Sequence, residues 1–238
     1  MTTPATRQAS TYTAEFDAYA GNYDQALAMG LSLTGESKDY YASKRIAWLA
    51  ARLERLGHPV RTVLDFGCGT GSGVPYLFDG LGAQLVHGVD VSVASLDTAR
   101  STHARTGATF DLVDAPIGPV FDLAFCNGVF HHIPVEERAA SAAYVREALV
   151  PGGLFALWEN NPWNPGTRYI MSRVPFDADA ITLAPPETRR LLRDAGFEIV
   201  HTDFLFLFPR ALRAFRPLET MLSALPFGGQ YLVLARKR

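Results

Sequence analysis

VLDFGCGTG, residues 63–71, closes an apolar run on an acid and then sets glycines at three alternate positions. The apolar residues read as a buried strand over 61–66, and a helix starts in 73–78, so the glycines occupy a strand-to-helix turn. Glycine there permits backbone conformations and close approaches that a Cβ forbids. Outward from this turn the alternation continues. Strands are expected over 84–90, 109–113, 121–126, 154–158, 197–206 and 230–235, and helices over 40–56, 92–105, 136–149 and 186–195. In 40–56, Ile46, Leu49, Ala50, Leu53 and Leu56 share one helical face, and Gly57-His58-Pro59 stops the helix. Ser92 caps the next helix, and Pro151-Gly152-Gly153 ends the one over 136–149. Repeated strand–helix alternation with continuous apolar strands gives an α/β, Rossmann-like fold, its parallel sheet covered by helices on both faces.

Three ligand classes compete for the glycine turn. A phosphate-binding loop needs Lys and then Ser or Thr after its last glycine. Here Gly71 is followed by Ser72 and Gly73. A dinucleotide fingerprint spaces its glycines G-x-G-x-x-G, and Ser72 or Val74 falls in the third slot, depending on the start. What remains is Asp65-x-Gly67-x-Gly69-x-Gly71. A carboxylate at the strand end repels a pyrophosphate and attracts a positively charged ligand. The next strand ends in Asp90, roughly 20 residues on, where an acid suits the two hydroxyls of a ribose. A ribose acid with no phosphate signal describes an unphosphorylated nucleoside with a positive charge. S-adenosylmethionine has that chemistry.

VLDFGCGTG, GVDVS, LVDAP, FDLAFCNGVFHHIP and LVPGG, in this order, resemble the successive motifs of the class I S-adenosylmethionine-dependent methyltransferases. The nearest flavour is the small-molecule group that includes the ubiquinone and menaquinone biosynthesis enzymes. The resemblance covers about 16–153. It implies a seven-stranded, mostly parallel sheet with an antiparallel last strand inserted beside its neighbour. It also implies roles. Asp65, Gly67 and Gly69 surround the amino-acid part of the cofactor, Asp90 holds the ribose hydroxyls, and Val91 packs on the adenine. Asp114 and Ala115 meet the adenine edge, and Cys126 and Asn127 touch the methionine part. Tyr23 belongs to an N-terminal lid segment over 1–58, ahead of a methyltransferase domain over 59–238. Arg45 is a basic partner for the cofactor carboxylate, or else a solvated helix charge. The demethylated product is S-adenosylhomocysteine.

The 238 residues carry a net charge of -2 and 19% charged side chains, which gives no reason to expect nucleic acid. Two cysteines, Cys68 and Cys126, make neither a disulfide framework nor a metal cluster, and no metal is expected. No apolar signal core opens the chain, so a cytoplasmic setting is expected, as monomer or homodimer. On the acceptor side, His131 lies past the strand carrying Cys126 and Asn127, at the sheet edge where ligands bind. It is a candidate base and His132 a candidate substrate contact, or else one histidine caps a turn and the other fills a gap. Glu159 orients an acceptor or binds loop amides. The connection over 159–185 reads as a shaped turn; Asn160, Trp163, Arg168, Tyr169 and Phe176 are its candidate substrate contacts, with packing against the core as the alternative. The connection over 209–229 sets Leu212, Phe215, Leu218 and Leu222 beside arginines. It either makes weak contact with a membrane surface or packs on the sheet edge. The reaction expected is methyl transfer to O, N or C of a small apolar or aromatic metabolite, lipid-linked acceptors included. The competing reading is a catalytically silent cofactor-binding module or a partner subunit of another enzyme.

Overall fold

The computed structural model describes residues 34–115, 117–118, 120–174, 177 and 180–238. Its strands are β1 (Thr62–Phe66), β2 (Leu85–Asp90), β3 (Ala108–Leu112), β4 (Phe121–Asn127), β5 (Leu149–Asn160), β6 (Phe197–Leu205) and β7 (Gln230–Lys237). Its helices are α1 (Lys38–Arg55), α2 (Val74–Leu81), α3 (Val93–Thr102), α4 (Arg138–Ala148), α5 (Pro165–Met171), α6 (Pro185–Asp194) and α7 (Glu219–Leu222). The seven strands form one sheet in the order β3-β2-β1-β4-β5-β7-β6. The first five run parallel, and β7 is antiparallel to both β5 and β6. The chain reverses beside β1, between β2 and β4, so the carboxyl ends of β1, β2 and β4 open a crevice there.

Strand pleating divides each apolar run between two cores. Val63, Leu154, Ala156 and Trp158 face α1 and α2, where Ile46, Leu49, Leu53, Val74 and Leu77 meet them. Leu64, Phe155, Leu157 and Val233 face the other way, toward Ala142 and Val145 of α4 and Leu192 of α6. The helix face expected over 40–56 is thus buried at Ile46, Leu49 and Leu53. Ser37 caps α1 by accepting from the Tyr40 amide at 3.2 Å, and Ser92 caps α3 by accepting from Ser95. No helix among the described residues is long and apolar enough to cross a membrane.

A buried acid clamps α1 to the sheet edge. Asp203 on β6 accepts from Arg52 Nε at 2.8 Å, Arg52 Nη2 at 2.6 Å and Trp48 Nε1 at 2.9 Å. Replacing it leaves a guanidinium and an indole N–H without acceptors. Because Arg52 is partly solvated, Asp203→Ala is expected to cost about 2 kcal/mol, or about 4–8 °C in Tm. A melt identical to wild type would remove the clamp from the account.

Two connections depart from expectation. The 159–185 segment contains α5, because Asn164 accepts from the Thr167 amide at 3.0 Å and Pro165 starts the helix. The 209–229 segment is a 3-10 stretch, Arg210–Leu218, kinked at Leu212 and holding Pro217 inside it, followed by α7. No single helical side forms. Leu212, Phe215 and Leu218 stay exposed, while Arg216 pairs with Glu36 at 2.7 Å and lies over the Tyr40 ring.

Candidate active site

The turn after β1 is held by its neighbour. The amides of Gly67 and Cys68 donate to the Val89 carbonyl at 2.8 and 3.1 Å. The Gly69 amide donates to Asp90 Oδ2 at 2.8 Å, and the Ser92 amide to Asp90 Oδ1 at 2.9 Å. Gly67 and Gly69 adopt φ of 74° and 53°. A Cβ on Gly67 would strike Val129 at 2.3 Å, whereas one on Gly69 would meet nothing within 4 Å. The first glycine therefore serves packing and the second leaves an open shelf.

Asp65 lies beneath this shelf and is only 4% exposed. Among the described residues no donor reaches its carboxylate. Burial, reinforced by the negative charge of Asp90, pushes its pKa up to about 7. Asn127, the last residue of β4, likewise has a buried Oδ1 that accepts no hydrogen bond from the described residues. A buried acid without a donor and an orphaned amide oxygen are both suited to a ligand bringing positive charge and N–H groups. Asp90 accepts from the Gly69 and Ser92 amides, and the paired oxygens of a carboxylate suit vicinal hydroxyl donors. The residues present therefore fit a sulfonium nucleoside carrying an ammonium group. Val91 is half-buried beside Asp90, and Asp114 is exposed in the turn after β3. The Ala115 carbonyl accepts from Tyr144 at 3.4 Å. Cys126 is fully buried, with its thiol pushed well above its ordinary pKa by burial, which leaves it no thiolate for nucleophilic work. Tyr23 and Phe176 lie outside the described residues.

Beside Asn127 opens a cavity of 590 Å³, within the range of small-molecule sites. Arg45 reaches its wall and donates to Gln230 at 2.8 Å; Gln230 donates in turn to Asn160 at 3.1 Å. Tyr41, Tyr169, Met171, Phe206 and Phe208 give the wall its apolar character. Phe206 is the one described non-glycine residue with positive φ, 64°, and its ring packs against Tyr41 at 4.8 Å. Such backbone strain persists only where the surroundings hold it. Trp163 and Arg168 stand apart from this wall: Trp163 is 50% exposed before α5 begins, and Arg168 falls on the outer face of that helix. Tyr40, Tyr41, Phe206 and Phe208 were not singled out in the sequence, because packing of α1 and of the loop after β6, rather than a motif, brings them here.

At the inner end of the cavity His131 sits between two carboxylates. Its Nδ1 is 2.5 Å from Glu159 Oε2, and its Nε2 is 3.5 Å from Asp177 Oδ1. Glu159 also accepts from the Phe130 amide at 2.8 Å, so it serves one loop amide and a side chain together. Burial draws the His131 pKa down, but Glu159 and Asp177 outweigh it and hold it up to about 9. His132 Nε2 is 3.4 Å from the same Asp177 oxygen. Burial lowers the His132 pKa, which makes it the neutral imidazole of the pair. Asp177 carried no signal in the sequence beyond lying in FDADA.

Comparison with known proteins gives concordant results. A family model described as a methyltransferase domain matches residues 64–155. A relative from Mycolicibacterium smegmatis, described as a probable S-adenosylmethionine-dependent methyltransferase, is 30% identical over 200 residues, which cover 78% of this chain and 73% of that protein. A ribosomal protein L11 methyltransferase from Dechloromonas aromatica is 35% identical over 107 residues, 44% of this chain and 34% of its own length. Among solved structures, an S-adenosylmethionine-dependent methyltransferase from Mesorhizobium loti superposes with a TM-score of 0.55 at 24% identity, covering 75% of this chain and 91% of that one. A chain of the complex between the Haloferax volcanii Trm112 methyltransferase activator and a methyltransferase gives 0.64 at 21% identity, over 93% of this chain and 97% of that one.

Proposed function

Given that the chain belongs to the class I S-adenosylmethionine-dependent methyltransferases, we propose that it methylates a small, mainly apolar or aromatic metabolite held in the 590 Å³ cavity beside Asn127. The family makes it an enzyme and S-adenosylmethionine its cofactor; the quinone-biosynthesis subgroup is not assigned by these relatives. The observation that carries the acceptor class is the cavity wall, where aromatic rings and Met171 outnumber charged groups. The bound cofactor supplies an activated methyl group on a sulfonium.

The chain's own residues do the rest. Asp90 accepts from the ribose hydroxyls while its backbone bonds keep the Gly69 shelf in place. Asp65 supplies the negative charge that a cationic ligand lacks in a buried site, and Asn127 Oδ1 takes an N–H donor. Tyr41, Tyr169, Phe206 and Phe208 hold the acceptor's apolar body and exclude water, so that placement supplies much of the rate. With no metal ion bound, His131, protonated near neutrality, supplies a fixed positive charge, and the neutral His132 is the group available to take a proton from a hydroxyl or ammonium acceptor. The silent-module reading has no need of an acceptor cavity beside the cofactor.

The cofactor side is tested by titrating S-adenosylhomocysteine calorimetrically. Asp90→Ala removes two charge-assisted acceptors of about 1.5 kcal/mol or more each, so affinity is expected to fall about 100-fold. Unchanged binding would remove Asp90 from the site. The acceptor side is tested with labelled S-adenosylmethionine against a panel of phenols, aromatic amines and small aliphatic acids. Transfer confined to polar aliphatic acceptors, or tight cofactor binding with no transfer at all, would overturn the acceptor reading.

A further inference from the structure

Two imidazoles and a carboxylate converge on the cavity wall just past β4. His131 Nε2 and His132 Nε2 lie 3.5 and 3.4 Å from the same oxygen, Asp177 Oδ1. All three potential ligand atoms lie within 4.8 Å of one another. The two separations are long for N–H···O hydrogen bonds, which centre near about 2.9–3.0 Å. They match the edge of a tetrahedron around an ion with bonds of about 2.0–2.1 Å, which is about 3.3–3.4 Å.

The surroundings supply what a metal-binding histidine needs. His131 Nδ1 faces Glu159 at 2.5 Å, which orients the ring with Nε2 toward Asp177. Glu159 is itself fixed by the Phe130 amide. A carboxylate behind the ligating imidazole is the usual outer support of a metal site. The segment after Asp177 is docked onto the histidine loop by two independent ties. The Ile181 amide donates to the His131 carbonyl at 2.9 Å. Buried Arg138 bridges the Ile133 and Ile181 carbonyls at 3.0 and 2.6 Å. Three protein ligands, an outer carboxylate and an adjoining cavity are the parts of a site that keeps coordination positions open.

We propose that His131, His132 and Asp177 form a divalent transition-metal site, for an ion of the zinc, cobalt or ferrous class, whose open positions face the acceptor cavity. Two imidazoles with one carboxylate suit these borderline ions better than magnesium or calcium, which favour all-oxygen shells. Ion binding rests on the geometry alone. That the open positions take a heteroatom of the acceptor rests on the methyltransferase reading of the same cavity.

The test is a titration of cobalt(II) chloride into the chelator-stripped full chain, followed by visible d–d absorption and by displacement with zinc chloride. One ion per chain is expected, with micromolar affinity and the intense bands of low coordination number. Glu159→Gln is expected to weaken binding by about 10–100-fold as an outer partner. His132→Gln and Asp177→Asn, which remove ligands, should weaken it more. Each variant's thermal shift with S-adenosylhomocysteine reports its fold and its cofactor site separately. No d–d bands in the wild type, or equal affinity in His132→Gln and Asp177→Asn, would overturn the site. Cofactor binding without metal binding would sink this proposal alone, and metal binding without cofactor binding would sink the functional reading alone.

Discussion

Asp65→Asn should abolish useful cofactor binding while making the ligand-free protein more stable. The two effects share one cause. Asp65 is buried without a hydrogen-bond donor among the described residues, and burial, with Asp90 adding to it, lifts its pKa from 3.8 to about 7. A native-state pKa raised above the unfolded value means that the folded chain holds its proton more tightly. Asp65 is therefore neutral in the ligand-free fold at low pH, and stability falls as pH rises from about 4 to about 7, then levels. The ionised carboxylate costs on the order of 4 kcal/mol above pH 7. Asparagine removes that cost, so the ligand-free variant should gain about 2–4 kcal/mol at pH 8, and well under half as much at pH 5. The bound state reverses the balance, because a cationic ligand would then lose its buried counter-charge, with only the carboxylate of Asp90 left nearby. Loss of one partner of a buried charge pair costs about 3–5 kcal/mol, which corresponds to roughly 1000-fold in affinity. Wild-type affinity should also decline about tenfold per pH unit below 7, a slope absent from Asp65→Asn. Calorimetric titration and thermal melts across pH 5–8 check both arms. A variant less stable than wild type at pH 8, or one that binds S-adenosylhomocysteine as tightly, would show that Asp65 is structural.

The fold was readable where local chemistry and global position agree. Leu154 to Trp158 is a continuous apolar run, and β1 is apolar at Val63, Leu64 and Phe66, because helices cover both faces, so their length and flanking glycines sufficed. The start of β5 was not readable. Pro151-Gly152-Gly153 marks a chain break, yet α4 already stops at Ala148 and Leu149 pairs with Phe121, because a buried leucine facing a neighbouring strand outweighs propensity. α5 was hidden by the neighbouring asparagines: Asn161 does make a turn, accepting from Trp163, but Asn164-Pro165 is a cap and a first turn. Of the candidate site, Asp65, Gly69 and Asp90 were named from the glycine turn and the end of the next strand, and Asn127 from the family resemblance; all four lie at the carboxyl edge of β1, β2 and β4. Trp163 and Arg168 were chosen by residue type, and type says neither that Trp163 sits in the turn before α5 nor which side of α5 carries Arg168. Asp177 was beyond reach. It is one of two acids in FDADA, and only the docking of Ile181 and Arg138 onto the histidine loop selects it.

Glu159→Gln should lower stability by about 3 kcal/mol near pH 6.5, and the loss should vanish above pH 9. Glu159 is 1% exposed and holds both the Phe130 amide and His131 Nδ1. Glutamine keeps an oxygen for the amide but removes the charge opposite His131. Burial opposes the imidazolium, and in the wild type Glu159 and Asp177 overcome it and hold the His131 pKa up to about 9, against 6.5 when unfolded. The raised value means that the pair's stabilisation is fully present below about pH 6.5 and is lost as pH rises through about 9. With Asp177 alone the imidazolium loses its nearest counter-charge, so the variant's pH dependence should be nearly flat over that window. A shift of about 2.5 units corresponds to about 3.4 kcal/mol, or about 7–14 °C in Tm. The contribution of Asp65 changes between about pH 4 and 7 in both proteins and cancels in the difference. Denaturant unfolding at pH 6.5, 8 and 9.5, with a chelator present so that no metal ion neutralises the cluster, measures the difference directly. Parallel curves for the two proteins would mean that His131 is neutral in the fold. The imidazolium donor assigned to the acceptor cavity would then be withdrawn, leaving His132 and His131 as two neutral imidazoles beside Asp177.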